Sequence, residues 1–293
     1  IQKRRFYNGK NLLEKCQEQQ LPISEIMRQR EITTGSMSPE KLEKKLEKAL
    51  SIMKQAATKP LTNPGKSIGG LIGGEAKKVA EHGKTPDCVC GSMLSKAISY
   101  SMAVLEVNAS MGLIVAAPTA GSAGVVPGVL LSLADEHNID DATLCKGLVN
   151  ASAIGYLLMR NASVSGAEAG CQAEVGAASA MAASAIVEIM GGTPEMCLDA
   201  ASFALSNLLG LVCDPIAGLV EAPCQSRNAI GVSNAITSAE LVLSGVTHHI
   251  PFDEIAHAML RVGKSLPFEL RETAMGGLAG TPTGCSLGCG ICK

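Results

Sequence analysis

Ala177-Ala178-Ser179-Ala180-Met181-Ala182-Ala183-Ser184-Ala185 decides the fold. The run sits inside a helical stretch expected over 172–190. Its small side chains let neighbouring backbones approach closely, the mark of tight helix packing. Outward from it the punctuation is helical as well. Gly191-Gly192 reads as a C-terminal stop, and Thr193-Pro194-Glu195 as N-cap, first-turn proline and dipole-matched acid. Leu198, Ala201, Leu205, Leu208 and Leu209 follow at helical spacing. Ser38-Pro39-Glu40 opens another helix through Leu42, Leu46, Leu50 and Met53. Thr85-Pro86-Asp87 reads as a third start, leading to about 111. Further helices are expected near 140–160, 226–244 (stopped by Gly245), 251–262 and 266–275. Strand signals are poor, because β-branched runs are short and alternation is absent. The fold class is all-α: a compact Ala/Gly-rich helical domain with Gly-rich loops around a site.

Composition agrees. The 293 residues are 46% apolar and 18% charged, which excludes disorder as a description of the whole. Four Phe, three Tyr and no Trp against 31 Gly mean a core of small side chains, stabilised by many closely spaced elements. A net charge of −2, with no basic tract and few stacking aromatics, argues against a nucleic-acid partner. Eleven cysteines are too few for a disulfide scaffold in a chain this long. Ile1-Gln2-Lys3-Arg4-Arg5 shows no apolar signal region and no initiator Met, so a processed or fragmentary start and cytoplasmic, reduced thiols are expected. Residues 107–134 carry no charge, yet Pro118, Pro127 and four glycines argue against a membrane span and for a buried loop lining a site. Residues 1–35 are more polar and read as an N-terminal arm or partner-docking segment. Residues 36–284 are expected to form the helical domain that carries any site, and 285–293 a Cys-rich tail.

Three Gly-rich loops could carry the chemistry. They are Ser67-Ile68-Gly69-Gly70-Leu71-Ile72-Gly73-Gly74, Ala117-Pro118-Thr119-Ala120-Gly121-Ser122-Ala123-Gly124 and Ser165-Gly166-Ala167-Glu168-Ala169-Gly170-Cys171. Such loops before helices offer unencumbered amides to carboxylates or phosphates. The spacing fits neither a Walker A loop nor a dinucleotide fingerprint. Cys171, Cys213 and Cys224 each fall at an expected loop–helix junction. Three thiolates suit a metal site with one open position, and spacing alone favours plain burial, the usual place of a free cysteine. Cys16, Cys88, Cys90, Cys145 and Cys197 read as packing residues. None of His82, His137, His248, His249 and His257 stands out as a base, and Asp214 and Glu174 lie near the candidate ligands without an assignable role.

Three segments resemble the alpha chain of iron–sulfur-dependent L-serine dehydratases. They are the Ala117–Gly124 loop, Gly166-Ala167-Glu168-Ala169-Gly170-Cys171-Gln172-Ala173-Glu174-Val175-Gly176, and Cys213-Asp214-Pro215-Ile216-Ala217-Gly218-Leu219-Val220-Glu221-Ala222-Pro223-Cys224. Arg227-Asn228-Ala229 and Thr281-Pro282-Thr283-Gly284 continue the likeness, which covers roughly residues 36 to 284. The resemblance implies a 4Fe–4S cluster on Cys171, Cys213 and Cys224, with Cys292 a candidate fourth ligand. It implies L-serine as substrate, and a beta chain that supplies a catalytic histidine from a Ser-Ser-His loop, a motif not found in this sequence. The expected assembly is a hetero-oligomer with no membrane partner. The expected anchor for the substrate carboxylate is Lys66, Ser67, Gly69 and Gly70 together with Thr119, Ala120, Gly121, Ser122, Ala123 and Gly124. Competing readings are a cluster-dependent L-cysteine desulfidase, a non-catalytic iron–sulfur sensor and, less compatible with helices, a pyridoxal-phosphate dehydratase.

Overall fold

The computed structural model describes residues 5–35 and 37–291, the side chains of 289–291 excepted. The described residues form α1 (Gly9–Gln19), α2 (Ile23–Thr34), α3 (Pro39–Thr62), α4 (Glu75–His82), α5 (Gly91–Ala109), α6 (Val125–His137), α7 (Asp141–Asn161), the short α8 (Gly166–Ala169), α9 (Val175–Ile189), α10 (Pro194–Asn207), α11 (Cys224–Leu243), α12 (Phe252–Ser265) and α13 (Pro282–Ile291). Among them there is no sheet, only one isolated parallel bridge between Cys213 and Arg271. The all-α expectation is borne out.

The small-residue run is α9, and every residue from Val175 to Val187 is buried. A helix apolar all round has no face for water, so it takes the centre. α9 packs against α6, α7, α10 and α11. Its serines remain satisfied there: Ser179 Oγ donates to Gly231 O (3.0 Å) and Ser184 Oγ to Asn150 Oδ1 (2.6 Å). Glycines on the neighbours make the approach possible: a Cβ at Gly231 would lie 2.7 Å from Val125 and 2.9 Å from Val175.

Two of the three start signals hold. Ser38 Oγ accepts from Lys41 N and Thr193 Oγ1 from Met196 N, each ahead of a proline in the first turn. Thr85 does not start a helix. Its hydroxyl donates back to His82 O (2.8 Å), residues 84–90 form turns, and α5 begins at Gly91. Cys88 and Cys90 consequently lie on this loop, half-buried and exposed, and are not packing residues; Cys16, Cys145 and Cys197 are buried. The helix expected over 266–275 is reduced to a 3-10 turn at Phe268–Leu270, because Glu272 and Ala274 take left-handed φ of 63° and 55°. The uncharged stretch 107–134 is a loop only in its first part. Pro127 falls in the first turn of α6, where no intrahelical donor is needed, and α6 is buried through Leu133.

α7 is long and apolar enough to cross a membrane, but 67% of its apolar window is buried inside the protein. Residues 1–35, set apart in the sequence as an arm or docking segment, form α1 and α2 over the described part. Phe6, Leu12, Cys16, Ile23, Ile26 and Met27 belong to the same apolar core as α7 and α9. The tail boundary at 285 falls inside α13. Cys292, the candidate fourth ligand, lies outside the described residues.

Candidate metal centre

Cys171 opens a 3-10 turn that leads into α9, Cys213 sits between α10 and α11, and Cys224 is the first residue of α11. The three lie close enough for their charges to act on one another. Cys171 and Cys213 share a small buried cluster with Val175, flanked by Leu208 and Leu211. Burial pushes the Cys171 thiol up to about 12, with Glu174 next in effect. Burial pushes Cys224 to about 12 as well, and the nearby Cys171 and Glu174 add to it. Cys213 is raised by burial, then by Glu174, Cys171, Glu272 and Cys224. Burial also raises the Glu174 carboxyl. Each of these groups disfavours the anion of its neighbours, so the set is stable protonated or around a cation. Glu174, Cys213 and Glu272 place one donor atom each within 4.8 Å of one another. Neighbouring thiols beside two carboxylates fit a multiply charged metal group that favours sulfur ligands.

Each cysteine-bearing segment is tied down. Gly170, at φ 76°, lets the chain turn into Cys171 where a Cβ would lie 2.8 Å from Leu211 O. Gln172 Oε1 accepts from Gly210 N (2.9 Å), and its Nε2 donates to Ala169 O and Met259 O. Cys213 is held through its backbone: its N donates to Leu270 O (2.9 Å), and its carbonyl accepts from Glu272 N (2.6 Å). Asp214, 2% exposed, pairs with Arg227 (2.7 Å) and accepts from Leu278 N (2.6 Å). Arg227 also donates to Val212 O (2.8 Å). One turn past Cys224, the fully buried Asn228 accepts from Gly124 N (3.0 Å) and donates to Gly121 O (2.8 Å) and Cys224 O (2.9 Å).

Two of the three glycine loops border this set. The 117–124 loop reaches it through Thr119, whose hydroxyl donates to Glu174 Oε1 (2.7 Å), and through Gly121, where a Cβ would lie 3.1 Å from the same oxygen. In the third loop a Cβ at Gly166 would lie 3.0 Å from Cys213 Sγ. The first loop is occupied by the chain itself. The buried Glu221 carboxylate accepts from Ser67 Oγ (2.6 Å), Gly69 N (2.7 Å) and Leu71 N (2.9 Å). Gly70 N donates to Ser67 O, and Lys66 is exposed. The donors expected to hold a ligand's carboxylate there hold this chain's own instead, because Glu221 is fixed beside them and pays no entropy of association. In the second loop Ser122 is buried and Ala123 N donates to Ala120 O (3.3 Å). Ala120 and Gly121 stand at the amino end of a 3-10 turn, which supplies their amides no acceptor.

No histidine joins the set among the described residues. His82 and His137 end α4 and α6, His249 and His257 are exposed, and His248 bonds Ser206 and Ile250. Sequence reasoning missed Glu272 because it ran a helix through it; the flanking Pro267 and Gly276-Gly277 were the available signal. The clamp role of Glu221 has no sequence signature.

Residues 18–279 match the family described as serine dehydratase alpha chain. The chain is 46% identical over 282 residues to a probable L-serine dehydratase alpha chain of Bacillus subtilis, covering 96% of this chain and 94% of the other. It is 45% identical over 276 residues to the L-serine dehydratase alpha chain of Peptoniphilus asaccharolyticus, covering 94% of each. To an L-serine dehydratase of Helicobacter pylori it is 37% identical over 285 residues, covering 94% of this chain and 62% of that longer protein.

Proposed function

The chain belongs to the serine dehydratase alpha-chain family, and from that premise we propose that it is the alpha chain of an L-serine dehydratase, a lyase that converts L-serine to pyruvate and ammonia. The family match carries this reading, and it is supported by Cys171, Cys213 and Cys224 lying close enough to influence one another beside the 117–124 and 165–171 loops. These thiols would hold a 4Fe–4S cluster, whose open iron, when bound, supplies Lewis acidity to the hydroxyl that leaves.

This chain's residues do the rest of the positioning. The Ala120 and Gly121 amides offer unpartnered donors beside Glu174, where negative charge on the substrate can be received. Thr119 and Ser122 hold that turn, since their hydroxyls lie 3.1 Å apart and Thr119 donates to Glu174. Leu208, Leu211 and Val175 wall the thiols from water, which strengthens every charge interaction at the site. Loss of the α-proton and of hydroxide gives aminoacrylate. It tautomerises to an imine and hydrolyses to pyruvate and ammonia, with no net electron transfer. The histidines lie elsewhere, so the base is assigned to a beta chain; the longer Helicobacter relative has room for such a domain within one polypeptide. Buried thiols that must remain reduced accord with a cytoplasmic enzyme.

The test is anaerobic purification and reconstitution, with iron and sulfide assayed in the wild type and in Cys171→Ser, Cys213→Ser and Cys224→Ser. The wild type is expected to bind about four irons per chain for one such cube, and each variant to lose iron and activity with the beta chain. Iron retained in all three variants overturns the ligand assignment.

A further inference from the structure

α11 begins at Cys224 without a capping side chain of its own: Pro223 precedes it, and no acid stands in its first turn. The first turn is therefore set by contacts from outside the helix. Two of them are buried, one on each side of the cysteine. Glu221 reaches the first glycine loop at Ser67, Gly69 and Leu71. Gln225, 4% exposed, reaches α5, where its Nε2 donates to Glu106 Oε1 (3.1 Å) and to Met102 O (3.4 Å). Gln225 N also donates to Glu221 O (2.9 Å), so both contacts spring from one turn with Cys224 inside it.

Glu106 closes the circuit. The same Oε1 accepts from Ala76 N (2.9 Å) in the first turn of α4, the helix that follows the first glycine loop. Both arms that bracket Cys224 thus end on the stretch 67–76, one directly and one through Glu106. The Glu106 side chain is 2% exposed, and its Oε2 is shut off from solvent without a partner. A buried acid with one idle oxygen is a cost that an apolar pair in place of Glu106 and Gln225 would avoid. Packing alone does not call for an acid here, whereas a fixed acceptor between two helix starts does.

We propose that Glu106 is a positioning residue for Cys224, acting through Gln225: its bond to Gln225 Nε2 holds the first turn of α11, and with it the direction in which Cys224 presents its thiol to the metal group. The metal half of this rests on the serine dehydratase reading. The positioning half rests on hydrogen bonds of this chain alone.

The test follows alkylation of Cys224 and Cys171 in the full metal-free chain, kept reduced by a thiol-free reductant at fixed pH and read by the mass of the modified peptides. Gln225→Met keeps the bulk and removes the donor, and Glu106→Ala removes the acceptor. Each is expected to speed Cys224 alkylation about 3- to 10-fold, the opening that one lost hydrogen bond allows, while Cys171 stays within about twofold. Glu106→Gln, which keeps an acceptor oxygen, is expected to restore most of the protection. Glu106→Ala in the Gln225→Met background is expected to add no more than about twofold, because the two act through one bond. An unchanged Cys224 overturns the proposal. Cys171 rising in step with Cys224 in both single variants overturns it too, because both residues then support the fold and not the cysteine. Full multiplication of the two effects in the double variant overturns the route through Gln225. After anaerobic loading with iron and sulfide, both single variants are expected to release iron to a chelator faster than wild type, and equal release in both overturns the bearing on the metal. A wild type that takes up no iron overturns the cluster reading, and the alkylation rates then judge the positioning by themselves.

Discussion

Replacing Glu221 with alanine tests whether the first glycine loop is a clamp for the segment that carries Cys224. The Glu221 carboxylate is 2% exposed and accepts three hydrogen bonds, from Ser67 Oγ, Gly69 N and Leu71 N, at 2.6, 2.7 and 2.9 Å. In Glu221→Ala the Ser67 hydroxyl can rotate to another acceptor, but the two amides cannot. A buried donor left unmade costs about 1–3 kcal/mol. Two amides, partly relieved by water because Gly69 is half-exposed, give a loss of about 2–5 kcal/mol. Glu221→Gln keeps one carbonyl oxygen and turns an amide N–H2 toward the remaining donors, so it is expected to fall between wild type and alanine. The assay is urea unfolding of the metal-free chain under reducing conditions, read as a shift in midpoint at constant slope. A second readout is the alkylation rate of Cys224, three residues from the clamp, which is expected to rise in both variants. If Glu221→Ala unfolds within about 0.5 kcal/mol of wild type and Cys224 reacts no faster, the clamp reasoning is refuted.

Asn228→Ala removes the group that joins Gly121, Gly124 and the start of α11, and is expected to cost about 2–4 kcal/mol in the same unfolding assay. Asn228→Asp should not rescue it, since it sets an oxygen against Gly121 O and Cys224 O; wild-type stability in that variant would contradict the network. Stability of the metal-free chain is expected to fall as pH rises above about 9. There the unfolded thiols ionise while folded Cys171 and Cys224, with pKa about 12, hold their protons, at up to about 1.4 kcal/mol per pH unit for each thiol. Unfolding curves from pH 8 to 10.5 check this, and Cys171→Ser should flatten the decline.

The helical frame was legible because it rests on local chemistry. Ser38-Pro39-Glu40 and Thr193-Pro194-Glu195 specify helix starts wherever the chain goes next, and the residues of α9 are too small and too apolar for any place but the centre. Thr85-Pro86-Asp87 carries the same signal and fails, since a hydroxyl three residues from His82 O can satisfy that carbonyl instead of capping a new helix. Local rules cannot decide between two local partners. The site divides the same way. The cysteines could be singled out because their residue type is rare and their junction positions repeat, but their convergence is a property of α9, α11 and the 266–281 loop meeting in space. The carboxylate receptor at Ser67 and Gly69 was legible as a receptor, while its occupant sits 150 residues or more away in sequence. A glycine loop states that it will bind an anion and leaves the choice to tertiary structure, and here an internal acid three residues from Cys224 is the stronger competitor.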